Sequence, residues 1–341
     1  MHDGVYFIEI DRNTDIYNTS KYAFLEQSLT PVAKRLYRIP MRNFIEFGRK
    51  LEDRNVVWLF HTTRCGSTAW TQVFNSLPDW GTLAEPPLLQ RFFEINVNNL
   101  YIPKFVKTQF YQDLVEAIIK VTVKNFPKSH RGIFWKTQTM DDQMVPVIRK
   151  IFPKHRLLLG TRDVAPSGKS FYHAFRPFFQ IGIWILNSDP LSTASQGGQF
   201  LLLATNGELT PPIRQLLTET RPQGLLEWFV LFWALKVRMY QRTPWIHVRY
   251  EDLMTDPKQA LSRVFSHLEI AENLLDVGMK ALESDSQETS IFAKKKREHF
   301  SVWVRTEERV ARYNRILEAF DLPHFDESYA HQSRAWDSED F

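Results

Sequence analysis

The stretch from Val56 to Leu77 most constrains what this chain can fold into. Residues 56–60, VVWLF, form a continuous apolar run with two β-branched members, which is typical of a strand buried on both faces. Residues 69–77 carry apolar side chains at helical spacing, which predicts a helix. Polar and small residues, with a glycine at Gly66, separate the two runs. A strand, a tight polar turn and a helix in this order predict an anion-binding cradle, because the turn amides and the helix N-terminus point at one spot.

The residue types of this turn differ from those of a nucleotide-hydrolase loop. Such a loop needs G-x-x-x-x-G-K-[ST], in which the hydroxyl holds a magnesium ion. Here Gly66 is preceded by Arg64 and followed by Ser67 and Thr68, and the upstream glycine is missing. Arg64 supplies a fixed cation and the two hydroxyls supply donors, so we expect no metal in this loop. The alternative for a turn rich in Ser and Thr is a well-capped helix without a ligand.

Length, charge and cysteine content indicate which kinds of domain and ligand this sequence favours and which it excludes. A chain of 341 residues suits one large α/β domain. The net charge of +4, without a long basic run, fits an anionic ligand and gives no reason to expect a nucleic-acid partner. The single cysteine, Cys65, excludes an internal disulfide and a cysteine-based zinc cluster, and we expect it to pack as a small residue in the loop.

Targeting signals are missing from the sequence. The amino terminus has no charged segment followed by a long apolar core, and the apolar run at 228–235 is far shorter than the ~20 residues that span a bilayer. We therefore expect a cytoplasmic protein without a membrane span. A gene model that has lost a Golgi-type anchor is the alternative. The sequence does not determine the oligomeric state.

Strands alternate with helices along the rest of the chain, which predicts an α/β fold. Further strands are predicted at 79–85, 132–136, 157–163 and 245–250. Further helices are predicted at 110–123, 144–152, 167–179, 224–242, 257–268, 271–282 and 303–320. This alternation indicates a three-layer sandwich with a central parallel sheet covered on both faces. Segment 180–210 is predicted to be a long loop or subdomain of the kind that handles substrates.

Three regions are predicted from the composition along the chain. Residues 1–54 form an N-terminal extension with a helix over 31–52, residues 55–322 form the main domain, and residues 323–341 form a polar C-terminal tail.

Ligands of parallel sheets bind at the carboxyl ends of the strands. By that rule, residues from several strand ends are expected to lie together at one rim of the sheet. They are Arg64, Gly66, Ser67, Thr68, Glu85, Lys136, Gln138, Arg162, Asp163 and Tyr250. Three cations and several hydroxyls at one rim predict a polyanion with more than one phosphate-like group. Each residue taken singly has the alternative of a solvated strand end.

Three motifs resemble the sulfotransferases that use 3′-phosphoadenosine 5′-phosphosulfate (PAPS). Residues 62–68, TTRCGST, resemble the family's 5′-phosphosulfate loop, where a basic residue, a small residue, Gly and two hydroxyl residues stand between a strand and a helix. Arg162 with Ser170 eight positions later is similar to the family's 3′-phosphate signature. Residues 250–253, YEDL, are similar to a late family segment. The order of the three matches is the family's, which implies a P-loop nucleoside-triphosphate-hydrolase-like architecture.

The resemblance implies a set of donor-binding residues. PAPS would be the co-substrate, without a metal, and would contact Arg64, Cys65, Gly66, Ser67, Thr68, Ala69, Arg162, Ser170 and Tyr250. Within this set Arg162 and Ser170 would hold the 3′-phosphate, and Tyr250 would lie near the adenine. The basic run 294–297 would close over the 3′-phosphate as a late basic segment does in the family, with a solvated basic turn as the alternative.

A departure from the family pattern indicates which residue acts as the base. Cytosolic members that act on small phenols place a His after Lys-Thr, where this chain has Gln138, and an amide cannot accept the proton. Carbohydrate-type and several bacterial members use a Glu about twenty residues after the loop. Glu85, followed by Pro86, resembles that arrangement and is predicted to be the general base. The alternative is a structural salt bridge from Glu85 to Arg64 or Lys136. Weaker base candidates are His61, His173 and His299.

The resemblance implies an in-line transfer of a sulfuryl group from PAPS to an acceptor hydroxyl. Arg64, Lys136 and the loop amides would stabilise the developing negative charge, as in phosphoryl transfer. The acceptor would be a carbohydrate or another small molecule. Two alternatives stay open: an inactive relative that binds the nucleotide without transferring sulfate, and a nucleotide kinase with a variant P-loop.

Overall fold

The computed structural model describes residues 4–11, 13–14, 16, 29–86, 108–139, 141–174, 224–241, 245–284 and 305–330. The predictions for 180–210, for 294–297, for His299 and for the end of the helix at 167–179 lie outside these residues.

The described strands and helices follow one another as the sequence predicts for the main domain, except that the short helix Tyr250–Thr255 was not predicted. The strands are β1 (Gly4–Glu9), β2 (Arg35–Pro40), β3 (Val56–His61), β4 (Trp80–Ala84), β5 (Gly132–Lys136), β6 (Arg156–Thr161) and β7 (Ile246–Arg249). The helices are α1 (Met41–Arg49), α2 (Ser67–Ser76), α3 (Gln109–Val123), α4 (Val145–Ile151), α5 (helical residues 164–174), α6 (Leu225–Tyr240), α7 (Tyr250–Thr255), α8 (Pro257–His267), α9 (Leu275–Ala281) and α10 (Glu307–Glu318).

The central element is a five-stranded parallel sheet with strand order β4-β5-β3-β6-β7, flanked by helices. In its register Trp58 lies opposite Trp135, Ala84 lies opposite Lys136, and Thr161 lies opposite Arg249. The predicted α/β class with a central parallel sheet is confirmed. Because neighbouring strands end at matching registers, the residues that follow β4 and β5 are neighbours, as are those that follow β6 and β7.

The chain forms two compact units. Unit 1 comprises Met1–Phe60, Thr68–Leu157 and Leu261–Ala293, and unit 2 comprises His61–Ser67, Leu158–Ala260 and Lys294–Phe341. The boundaries predicted from composition, at 54/55 and 322/323, stay predictions.

Both faces of the unit 1 strands are covered by aromatic side chains. Phe74 of α2 stacks on Phe134 of β5 with ring centroids 4.0 Å apart, and it also contacts Phe265 of α8. Phe134 and Trp135 are consecutive in a strand and therefore point to opposite faces. On the second face Trp135 packs on Trp58 at 4.6 Å. Burial of such rings contributes about 1.5–3 kcal/mol each, so this core anchors the ends of β3 and β5.

A buried histidine joins β3 to the turn after α4. The Trp58 indole Nε1–H donates to Nδ1 of His155 over 3.1 Å, which fixes the imidazole as the Nε2–H tautomer. That Nε2 lies 2.9 Å from the Arg54 carbonyl oxygen and 3.2 Å from the Asp53 carboxylate. His155 is thus held in place on both of its ring nitrogens.

In unit 2 the apolar helix α6 is buried along almost its whole length. Its Glu227 accepts a bidentate pair of hydrogen bonds from Arg312 of α10, at 2.7 and 2.9 Å. Residues 322–330 follow α10, and their Phe325 and Tyr329 are buried. No helix within the described residues is long and apolar enough to cross a lipid bilayer.

The predicted helix over 31–52 is wrong for its first part. Arg35–Pro40 is strand β2, which pairs antiparallel with β1, and α1 begins only at Met41. The partner strand lies far upstream in sequence, and Phe7 of β1 packs against Phe44 of α1. A local pattern does not reveal a distant strand partner, and tertiary pairing overrides weak propensity.

Candidate active site

The loop between β3 and α2 is held in a strained conformation. Thr63, Arg64 and Gly66 have φ angles of 62°, 53° and 78°, in the left-handed region. Such angles cost a non-glycine residue about 1–2 kcal/mol and are rare for a β-branched residue such as Thr63. Strain of this kind persists only where the surroundings enforce it, and it clusters at functional sites.

Several hydrogen bonds within unit 2 hold the loop. The Thr63 amide donates to Nδ1 of His61 over 3.2 Å, and the Thr62 amide donates to the Gly160 carbonyl of β6 over 3.0 Å. The buried Ser167 of α5 donates its hydroxyl to the Thr63 carbonyl over 3.1 Å. The His61 ring is thereby used to shape the loop. Sequence reasoning missed Ser167, although it lies inside the motif that runs from Arg162 to Ser170.

Gly66 is required on two separate grounds. Its φ of 78° favours glycine, and a Cβ at this position would come within 2.5 Å of Cδ2 of Tyr250. The Tyr250 ring therefore lies directly against the loop backbone. The sequence motifs at 62–68 and 250–253, far apart in the chain, are in contact here.

The third motif joins the same group of residues, which we call the guanidinium cluster: Arg64, Arg162, Ser170 and Tyr250. Nε of Arg64 donates to Oγ of Ser170 over 3.0 Å. The Arg162 guanidinium lies 4.3 Å from the Tyr250 ring centroid, a cation–π contact, and its Nη1 lies 3.4 Å from the Arg64 carbonyl oxygen. Unit 2 thus brings two fixed cations and a hydroxyl together beside a strained loop.

Among the buried polar atoms without a hydrogen-bond partner in the described residues, two donor groups belong to Arg162 and to the loop. They are Nε of Arg162 and Oγ1 of Thr62. An unsatisfied buried polar group costs about 1–3 kcal/mol, and more when it belongs to a charged side chain. An oxyanion that accepted a hydrogen bond from either group would remove that cost.

Unit 1 holds a second group, the Lys136 cluster: Thr68, Glu85, Lys136 and Gln138. Nζ of Lys136 lies 2.7 Å from the Glu85 carboxylate and 3.1 Å from Oγ1 of Thr68. The Lys136 side chain is 2% exposed and that of Glu85 is 23% exposed. The structure therefore contains the ion pair that sequence analysis gave as the alternative role of Glu85, with Lys136 as the partner.

Glu85 is also strained, and Gln138 helps to hold it. Its φ is 54°, its amide donates to the Lys136 carbonyl over 2.9 Å, and its carbonyl accepts from Nε2 of Gln138 over 3.1 Å. The Gln138 amide in turn donates to the buried Asp141 carboxylate over 2.8 Å. Gln138 thus supports the backbone of Glu85 directly, a role that sequence reasoning missed.

The remaining loop residues pack into the protein. Cys65 is buried as expected and forms no disulfide, Ser67 and Thr68 are nearly buried, and Ala69 is half-buried. Trp70 is 1% exposed, so it belongs to the core of unit 1 and offers no face to a ligand. Among the described residues, no group of three or more His, Cys, Asp or Glu side chains is arranged to hold a metal ion.

Comparisons with known proteins found a structural similarity but no match in sequence. No protein-family model matches the chain, and no curated protein matches its sequence. Among solved structures, the chain is similar to the sulfotransferase STF9 from Mycobacterium avium over 84% of this chain and 83% of that one, with 11% identity and a TM-score of 0.39. A similarity of this size carries no argument about fold or activity.

Proposed function

We propose that this protein is a sulfotransferase that moves a sulfuryl group from PAPS to an acceptor hydroxyl of a carbohydrate or another small molecule. One observation carries the proposal. Three motifs that resemble the family's donor-binding segments lie far apart in sequence, yet they meet in unit 2. There Arg64 contacts both Ser170 and Arg162, and Arg162 contacts the Tyr250 ring. A coincidental resemblance gives no reason for this convergence.

The guanidinium cluster suits a nucleotide that carries two anionic groups. Arg162 and Ser170 would bind the 3′-phosphate, and Arg64 with the loop amides would bind the 5′-phosphosulfate. Guanidinium groups bind such oxyanions through charge-assisted hydrogen bonds. The unsatisfied Nε of Arg162 supports this assignment, because a bound phosphate would give it an acceptor. Arg64 would exchange or share its contact with Ser170 when the donor binds.

The Lys136 cluster supplies the groups that the transfer needs. The acceptor oxygen would form a bond to sulfur while the bond from sulfur to the bridging phosphate oxygen breaks, and that oxygen would keep the electron pair. The proton of the acceptor hydroxyl would pass to the Glu85 carboxylate. Lys136 and Arg64 would stabilise the charge that develops on the transferring and leaving oxygens. The 2.7 Å contact between Glu85 and Lys136 supports this proposal, since it brings the proposed base next to a group that would stabilise the developing charge.

The donor assignment is tested by calorimetric titration of the full chain with adenosine 3′,5′-bisphosphate, AMP and ATP-magnesium. We expect the bisphosphate to bind best and Arg162→Ala to weaken its binding by about tenfold or more, the effect of losing a charged hydrogen bond. The matched control is Arg156→Ala, which removes an exposed arginine at the other end of β6 and should leave binding unchanged. Better binding of ATP-magnesium, or no binding of the bisphosphate, would overturn the proposal and favour a kinase or a capped turn.

A second assay separates an active transferase from an inactive nucleotide-binding relative. Radiolabelled PAPS is incubated with a panel of sugars, phenols and amines, with the wild type and with Glu85→Gln. Transfer by the wild type, lost in a Glu85→Gln protein that still binds the bisphosphate, is the expected result. If the wild type binds the nucleotide but transfers to no acceptor, the inactive relative is the better description.

A further inference from the structure

Asp163 connects the guanidinium cluster to the distant segment 322–330. It directly follows Arg162 in the chain, and its carboxylate accepts the Ser328 hydroxyl over 2.8 Å and the Tyr329 amide over 2.9 Å. Its own amide donates to the Glu251 carboxylate over 3.0 Å. A carboxylate that accepts several hydrogen bonds is fixed in position. The residue next to Arg162 is therefore held from a part of the chain that lies more than 160 positions later.

The same serine also holds the residue next to Tyr250. Nη2 of Arg249 donates to Oγ of Ser328 over 2.9 Å and lies 3.4 Å from the Asp163 carboxylate. Ser328 thus donates one hydrogen bond and accepts another, bridging Asp163 and Arg249. Arg162 and Tyr250, which stack on each other, each have an immediate neighbour in this bridge.

Tyr329 provides a third link to Arg162. Its ring is buried and packs edge-on against Trp233, with centroids 5.4 Å apart. The Trp233 indole N–H donates to the Arg162 carbonyl over 3.1 Å. Burial raises the pKa of the Tyr329 phenol, so the ring stays neutral in this apolar contact at physiological pH.

We propose that Ser328 and Tyr329 form a latch that positions Arg162 and Tyr250 for the 3′-phosphate of the donor nucleotide. The proposal rests on the proposed function and assigns positioning residues to it. The latch residues do not contact the nucleotide. They act by fixing the backbone at 162–163 and 249–250, so that the Arg162 guanidinium is already oriented when the ligand arrives and binding orders fewer groups.

The test measures the affinity of the full chain for adenosine 3′,5′-bisphosphate by calorimetry. We expect Ser328→Ala to weaken binding by about 3- to 10-fold, the range for losing one or two hydrogen bonds, and Ser328→Thr to restore most of it by keeping the hydroxyl. The matched control is Glu318→Gln, which removes the charge from an exposed contact to His324 of the same segment, changes no contact to Asp163, and should leave the affinity unchanged.

Two further measurements separate positioning from general destabilisation. In an Arg162→Ala background, Ser328→Ala should have little additional effect on affinity, since contacts that act through one residue are not additive. Without ligand, hydrogen exchange should rise at peptides covering 162–163 and 249–251 in Ser328→Ala but not in Glu318→Gln.

The outcomes are distinguishable. If the wild type binds no bisphosphate, the proposed function fails and the latch proposal fails with it. If the wild type binds but Ser328→Ala binds equally well, the latch alone is overturned. Equal losses from Ser328→Ala in the wild-type and Arg162→Ala backgrounds, or unchanged hydrogen exchange, would also overturn it, because the segment would then act elsewhere.

Discussion

Lys136 and Glu85 form an ion pair whose two members have different access to water. The lysine side chain is 2% exposed, whereas the glutamate side chain is 23% exposed. A buried ammonium group without a counter-charge is strongly unfavourable, while a half-buried carboxylate keeps part of its hydration. The glutamate therefore does more for the stability of the lysine than the reverse.

This asymmetry predicts unequal effects of removing either partner. Glu85→Gln should lower the free energy of unfolding by about 2–3 kcal/mol, because it leaves the buried Lys136 with a neutral partner. Lys136→Met should cost only about 1 kcal/mol, because it keeps the apolar stem and leaves a carboxylate that water can reach. Urea unfolding at neutral pH measures both values.

The double variant is the control for this prediction. Glu85→Gln combined with Lys136→Met should be more stable than Glu85→Gln alone, since the buried ammonium that lost its carboxylate partner is removed. A larger loss from Lys136→Met than from Glu85→Gln would contradict the asymmetry. Because Glu85→Gln is also the variant that tests the base, its transfer activity must be measured at a temperature where it is fully folded.

The ionisation of Asp53 should make the stability of the fold depend on pH. Burial is the largest single influence and raises the pKa of the Asp53 carboxyl, but hydrogen bonds to His155 and the Arg54 backbone, together with nearby positive charge, outweigh it in sum and hold the pKa below the usual 3.8. A carboxyl whose pKa is lower in the folded protein stabilises the fold above its unfolded pKa and loses that effect as the pH falls through the folded value. The contribution is therefore complete at neutral pH and disappears in acid.

Asp53→Asn should lower the free energy of unfolding by less than about 1 kcal/mol at pH 6, since the carboxylate is half exposed. The difference from the wild type should close as the pH falls below 3.8. Urea unfolding across this pH range measures it. Glu52→Gln, which changes a neighbouring exposed carboxylate, should cost less than about 0.5 kcal/mol. A difference for Asp53→Asn that persists at low pH would contradict the assignment.

At the scale of elements, the loop between β3 and α2 shows how much of a site a sequence pattern can predict. Gly66 was predictable, because a glycine between a strand and a helix indicates a special backbone conformation. The left-handed angles of Thr63 and Arg64 were not, because nothing in their side chains favours them. Ser167 and Arg162, about a hundred residues later, bind the carbonyls of these two residues.

In this loop, adding a single methyl group at Gly66 should lower stability strongly. Gly66→Ala should lower the free energy of unfolding by about 2–4 kcal/mol, the sum of a left-handed alanine and a clash with Tyr250. It should also weaken bisphosphate binding, because the Tyr250 ring and the loop must separate. Gly224→Ala is the matched control: its φ of −166° suits any residue, and within the described part of the chain an added Cβ would meet no atom within 4 Å beyond its chain neighbours, so we expect a change within about 1 kcal/mol. Equal effects of both substitutions would contradict this account.

At the scale of the whole molecule, the predicted α/β class with a central parallel sheet is confirmed. The prediction succeeded because buried parallel strands are continuous apolar runs, as at 56–60 and 132–136, and their periodicity is local information. It failed at 35–40, where a strand depends on a partner far upstream. Segment 322–330 was likewise misjudged from local information: its polar composition predicted a tail, whereas its Phe325 and Tyr329 are buried.

The sequence by itself determined the strands of the central sheet and most of the helices around them, the strand-turn-helix arrangement between Val56 and Leu77, and the residue types at the strand ends. Each of these depends on residues that are neighbours in the chain, where spacing carries the information. Only the tertiary structure decided that Arg64 contacts Ser170, that Glu85 pairs with Lys136, and that Ser328 bridges Asp163 and Arg249. Hydrogen bonds and ion pairs act over a few ångströms in space, so partners separated by many residues are defined only once the chain has folded.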